Sequence, residues 1–326
     1  MRQVAPETRT TPRSTRRAVT TALGGLVAAA CGKSGKDDAA LVLGDQVHLV
    51  RSRLEAAGEL KGLPFQARWA DFPGAAPLLE ALNAGAVDTA FAGDIPVILA
   101  AAAGCPLKIV AATRSSGREV AILTPPGSDI RRVGDLKGRQ VIVSSARGSI
   151  AHYLLLERLD QAGVKPSDVN IGFLSPIDAS SAFAAGKIEA WATFGVYQFV
   201  AEAQGAQVLA DGQGVNPGYG LIAASQQVLR NPVKRRALAE FLVRLQHANA
   251  WSVAHPTDYA RLLSNATHMP ATIATRIAAL ENSPLAAPNA VLVAALQHAA
   301  DRLAGFGVIP RAPDIRALID AQGLLA

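Results

Sequence analysis

The chain has 326 residues, half of them apolar and only 5% aromatic, which suits two domains of moderate size with cores built from Ala, Leu, Val and Ile. Its net charge of +6 suggests a nucleic-acid partner until the charges are located: positions 1–36 hold seven basic residues and one acidic residue, and the remainder holds 25 of each sign. The body therefore has no global basic field, and no nucleic-acid partner is expected. The two cysteines, Cys31 and Cys105, fit neither a metal motif nor a disulfide framework, and no metal or other cofactor is expected.

Residues 1–30 read as an export signal. A basic region ends at Thr15-Arg16-Arg17, and a weakly apolar run, Ala18–Ala30, is too short to span a bilayer. Paired arginines before such a run resemble a twin-arginine signal. The run ends in Leu26-Val27-Ala28-Ala29-Ala30-Cys31, which resembles a bacterial lipobox with Ala28 where Leu is usual. That resemblance implies lipidation at Cys31, with the membrane met only through this anchor. The alternative is cleavage at a small-residue site with Cys31 incidental. Residues 31–40 are small and polar, like a tether.

From residue 41, apolar runs alternate with helical patterns. Strands are expected at Leu41–Leu43, Phe65–Trp69, Asp88–Ala92 and Lys108–Ala112, with helices near 49–58, 75–83 and 95–103 between them. After Ala121–Thr124 the pattern restarts. Strands follow at Gln140–Val143, Asn170–Leu174, Ile188–Thr193 and Gln207–Leu209, with a helix over Ser149–Ala162. Tyr219–Ala223 is a last apolar run, and the chain from Gln226 reads as helical. The alternation predicts α/β units with mostly parallel sheets. Residues 41–123 and 221–326 would form one lobe and 124–220 a second, joined by two crossings, with a ligand cleft between them.

Several segments in order resemble the aliphatic-sulfonate-binding proteins of ABC importers, a sulfonate, nitrate and taurine type of periplasmic solute-binding protein. They are Gly44-Asp45-Gln46, Trp69-Ala70-Asp71-Phe72-Pro73, Gly93-Asp94 with Pro96, Asp135-Leu136-Lys137-Gly138, Gly148-Ser149-Ile150-Ala151-His152-Tyr153 and Leu174-Ser175-Pro176, closing with Gly186 to Trp191. The resemblance implies a two-lobed periplasmic-binding-protein fold (type II) that is monomeric and not an enzyme. It would close on a small anionic organic ligand and deliver it to permease subunits. Physical chemistry supplies a matching site. Gly93-Asp94 and Gly148-Ser149 each end a strand and open a helix, exposing unpaired N–H groups that could hold an oxyanion without full countercharge. Gln46 is a long polar side chain directly after a buried strand, and ligand contact would satisfy it. Phe72 could form an apolar wall, and Trp191 and Phe194 could face the organic part of a ligand. Arg147 could be a countercharge and His152 a donor. Each has a plainer reading: turn glycines, a packed tryptophan, a loop arginine, a core histidine. Asp71 reads as a turn or capping residue.

One departure stands out: where the family commonly has Trp-Asp-Pro-aromatic, this chain has Phe194-Gly195-Val196-Tyr197. Taurine, nitrate, bicarbonate, a sulfate ester or an aromatic sulfonate stay open as ligands. A pyrimidine-precursor-synthase-like enzyme and a sensor lobe are the rivals of other classes. Neither a Ser-His-Asp order nor a phosphate-binding glycine loop stands out.

The lipobox resemblance is testable directly. A radioactive fatty acid should label the expressed protein, and Cys31→Ala should abolish that label; persistence of the label would reject the anchor.

Overall fold

The computed structural model describes residues 40–281 and 283–325. Arg16, Arg17 and Cys31, with the export and lipid-anchor expectations, lie outside the described residues.

The apolar runs form strands in the expected order. β1 (Ala40–Gln46), β2 (Gln66–Phe72), β3 (Thr89–Gly93) and β4 (Leu107–Arg114) alternate with α1 (Leu49–Ala56), α2 (Ala75–Asn83) and α3 (Asp94–Ala102). A second series runs β5 (Val120–Thr124), β6 (Gln140–Ser144), α4 (Ile150–Gln161), β7 (Asn170–Leu174), α5 (Pro176–Ala184), β8 (Ala190–Phe194), α6 (Gly195–Ala203) and β9 (Gln207–Asp211). Then come β10 (Tyr219–Ser225) and the helices α7 (Gln226–Arg230), α8 (Pro232–Ala254), α9 (Pro256–Thr267), α10 (Ala271–Glu281), α11 (Ala290–Gly305) and α12 (Ile315–Leu318).

Two five-stranded sheets share one plan. The first has the order β2-β1-β3-β10-β4 and the second β7-β6-β8-β5-β9. In each, three neighbouring strands are parallel and the fourth runs against both its neighbours. That antiparallel strand is the one entered directly after the chain has crossed: β5 in the second sheet, β10 in the first. The crossings are therefore residues 115–119 and 212–218, a few residues before the junctions expected at 123/124 and 220/221. Pairing of Val120 with Phe194 across the second sheet draws β5 away from the first.

The crossings lie side by side. Ser115 N–H donates to Gly218 O and Gly212 N–H to Val120 O, both at 2.8 Å. A Cβ on Gly212 would sit 2.5 Å from Gly117 O, and one on Gly117, whose φ is +80°, 2.8 Å from Gly212 O. Only glycine permits both the approach and the left-handed turn.

Apolar faces sandwich the first sheet. Leu41 and Leu43 pack with Leu238 and Phe241 of α8 on one side. On the other, Leu78, Ile95 and Ile98 of α2 and α3 pack with Leu296 of α11. The second sheet is covered by α4 through Leu154 and Leu155, and by α5 with Phe183 against Trp191. The helical tail holds the second unit in two places. Tyr259 and Ile273 of α9 and α10 enclose Phe199 of α6. Arg302 of α11 pairs with Glu157 at 2.7 Å and Asp160 at 2.5 Å on α4.

The crossing geometry predicts an asymmetric pair of glycine variants. Gly212→Ala should force the crossings apart and cost about 1–3 kcal/mol. Gly134→Ala, where an added Cβ meets nothing within 4 Å, should stay within about 0.5 kcal/mol of the parent. Urea unfolding of both reads the difference; equal stabilities would contradict the close packing.

Candidate functional site

Helices α2 to α6 each begin at the carboxyl end of the strand before them, and all five beginnings open onto one cavity of about 750 Å³. They reach it through Gly74, Gly93, Ser149, Ser175 and Phe194 respectively. The first two N–H groups of a helix have no intrahelical acceptor, and the helix dipole adds partial positive charge there. Some of these donors are already removed or used. Pro176 carries no N–H, Gly195 N–H donates to Glu119 O at 2.7 Å, and Ile95 N–H to Asp94 Oδ1 at 2.7 Å. Ala75, Ala76, Ile150 and Ile177 remain as first-turn donors in the cavity wall. No N-cap side chain bonds into α2, α3 or α6, and at α2 the Ala75 and Ala76 N–H groups are left for a guest.

Gln46, Gly93, Arg147, Gly148, Ser149 and Phe194, all expected at the site from the sequence, are in the cavity wall. Gln46 is set there by Asp45. That carboxylate is buried and accepts from the N–H groups of Gln46, Val50 and Arg51, tying the end of β1 to the start of α1. Its pKa is raised, burial outweighing the three N–H bonds. The Gln46 amide gives one hydrogen to Phe91 O at 2.7 Å, which identifies its nitrogen and leaves the second N–H for a ligand.

At α4 the donors differ from the expected ones. Ser149 Oγ donates to Ser144 O at 3.0 Å and accepts from His152 N–H at 3.3 Å, so the hydroxyl hydrogen is spent inside the protein. Gly148 N–H donates to His152 Nδ1 at 3.0 Å. The first-turn N–H at this end that lies in the cavity wall is that of Ile150. Gly148 has a φ of +85°, and a Cβ there would meet Leu99 Cδ1 at 2.9 Å, so the two units touch beside the cavity. Arg147 is exposed and donates to Gly307 O, past the end of α11, at 3.0 Å. Its guanidinium sits at the rim and is the one basic side chain of the lining among the described residues.

Phe72, Asp94, His152 and Trp191 are not in the wall. Phe72 packs on the core of the first unit. His152 is buried, and burial, with Arg147 nearby, brings its pKa down to about 4. It is a neutral imidazole that holds the Gly148 turn. Trp191 is fully buried, donates Nε1–H to Ser144 Oγ at 2.9 Å and lies 5.2 Å from Phe183. Asp94 points back toward the crossings: Oδ2 accepts from Tyr219 N–H, the first residue of β10, at 2.9 Å. Burial pushes its pKa up to about 6 against the lowering effect of the Tyr219 and Ile95 N–H bonds.

Sequence reasoning missed the starts of α2 and α5 as parts of the site. Gly74 before Pro77, and Ser175-Pro176 with Asp178 in the first turn, are helix-start signatures that could have found them. Tyr197, Glu80 and the α2 and α3 flanks of the cavity carried no local signal.

A family model described as NMT1/THI5 like matches residues 73–258. A protein of Escherichia coli (strain K12) named for binding aliphatic sulfonates is 34% identical over 251 residues, 76% of this chain and 77% of its own. The taurine-binding periplasmic protein of the same organism is 29% identical over 121 residues, 37% of each chain. Among solved structures, the periplasmic aliphatic sulphonate binding protein from Escherichia coli superposes with a TM-score of 0.78 at 30% identity, over 86% of this chain and 92% of its own. The alkanesulfonate-binding protein from Xanthomonas axonopodis pv. citri bound to MOPS gives 0.75 at 28% identity, over 86% and 98%.

The environment of Asp94 predicts a pH-dependent stability. The ordinary aspartate value is 3.8 and the folded value about 6. The folded protein therefore holds a proton that the unfolded chain has lost, and stability falls as pH rises from about 4 to 6, then levels off. The loss should be up to about 3 kcal/mol. Asp94→Asn should flatten that window in urea midpoints taken between pH 4 and 7. An unchanged slope would assign the effect elsewhere.

Proposed function

The chain belongs to the NMT1/THI5-like family, and from that premise we propose that it is the extracytoplasmic solute-binding protein of an ABC importer that captures an aliphatic sulfonate. The observation that carries this reading is the convergence of five helix beginnings on one cavity with a single basic side chain at its rim. A sulfonate spreads its charge over three oxygens, and several neutral N–H donors match that distribution better than one ammonium would. Without a buried countercharge the ligand can also leave, which a transport protein requires. Apolar lining at Leu79, Leu99, Ile150 and Ile177 favours an organic anion over nitrate or bicarbonate. The relatives named for sulfonates and taurine support the same class.

In this reading the unit built on the first sheet and the unit built on the second act as lobes that close on the ligand about the paired crossings. Arg147, reaching from the second unit to Gly307, is a contact suited to hold the closed form. Permease subunits receive the ligand. The signal with Arg16 and Arg17 would direct export, and Cys31 would anchor the monomer outside the membrane. Binding rather than catalysis is supported by the chemistry of the lining: burial raises the Cys105 thiol above its ordinary range, the reverse of an activated nucleophile. Glu80 at the cavity edge favours a second reading, a zwitterionic sulfonate such as taurine, whose ammonium it could meet.

Thermal-shift measurement with sulfonates, taurine, sulfate esters, nitrate and bicarbonate tests the proposal. A sulfonate at a hundred times its Kd should stabilise the fold by about 2.7 kcal/mol. Shifts from nitrate or bicarbonate alone, or recovery of a chemically altered sulfonate, would reject it. Gln46→Leu should weaken calorimetric affinity by about 1–3 kcal/mol.

A further inference from the structure

We infer that the groove between α2 and α3 is a subsite for an apolar tail, so that the protein grades alkyl sulfonates by chain length. The inference rests on the sulfonate reading above.

The cavity does not end at the helix beginnings. It continues along one flank of α2, through Ala76, Leu79 and Asn83, and one flank of α3, through Leu99, Ala100 and Ala103. Ala76, Leu79 and Asn83 recur every three or four residues, as do Pro96, Leu99 or Ala100, and Ala103, so each set lies on one side of its helix. Alanine at positions 76, 100 and 103 keeps the groove open where larger side chains would fill it. Leu79 is 4% exposed, and Cys105, 7% exposed, is a small apolar surface at the far end. From Pro96 to Ala103 the helix rises about 10 Å, the scale of a short alkyl chain. The polar Glu80 and Asn83 occur where α2 meets solvent. An anion held at the helix beginnings has its substituent beside the mouth of this groove. A headgroup without a tail would leave the apolar flanks wetted, which is unfavourable.

Calorimetry on the full chain with methane-, propane- and hexanesulfonate tests the inference. Affinity should rise about twofold to fourfold per added methylene. Ala103→Trp, at an exposed position, and Ala100→Phe, deeper in the groove, should each flatten that rise and leave methanesulfonate binding as in the parent, which also reports that the variants fold. Equal affinity for all three sulfonates, or variants that keep the parent's dependence on chain length, would overturn the tail subsite while leaving the sulfonate reading intact. Failure of all three ligands to bind the parent would overturn both.

Discussion

A helix that follows a parallel strand must start at that strand's carboxyl end, and its first N–H groups have no partner within the helix. The rest of this protein is arranged around that constraint. Five strand–helix joints, two from the first sheet and three from the second, are turned toward a single cavity. Elsewhere the same problem is solved internally: Asn231 caps α8, Asn289 caps α11 and Asp314 caps α12. At α2, α3 and α6, which face the cavity, the N-cap residue makes no side-chain bond, and of the α3 N–H groups Asp94 takes only that of Ile95. The donors left over at these ends are the resource from which an anion site can be built.

Bringing helix beginnings from two sheets together requires the chain to pass between them twice without fixing them rigidly. The two crossings meet through glycines whose backbones touch, and each delivers the antiparallel strand of the sheet it enters. Asp94 joins this region to the site, since the residue that starts α3 also accepts from the first residue of β10. The tail then adds contacts to the second unit at α4 and α6. Those at α4 are ionic, Arg302 with Glu157 and Asp160, whereas those at α6 are largely apolar.

Charge is distributed so that the cavity stays close to neutral. Arg147 is at the rim and engaged with Gly307, His152 is held neutral by burial, and Asp94 is turned away from the wall. The nearest side chains that looked like ligands are used to shape the turns. Ser149 and His152 between them secure Gly148 and the first turn of α4, and Trp191 joins Ser144 in the core of the second sheet.

The order of elements was legible in the sequence because its signals are local: apolar period, a glycine or serine before a helix, a proline in its first turn. The two-unit α/β architecture and the helix starts at Gly93-Asp94 and Gly148-Ser149 follow from such signals, and so does Gln46 at the end of β1. Tertiary structure decided which of those groups are left over for a ligand. The Ser149 hydroxyl is consumed by Ser144, the Gly148 N–H by His152, and the Asp94 carboxylate by Tyr219, 125 residues away. It also decided that β5 belongs with β8, which moved the crossings, and that the flanks of α2 and α3 extend the cavity. The physical reason is the same in each case: a hydrogen bond or a packed face is satisfied by whatever partner folding brings near, and that partner is distant in sequence.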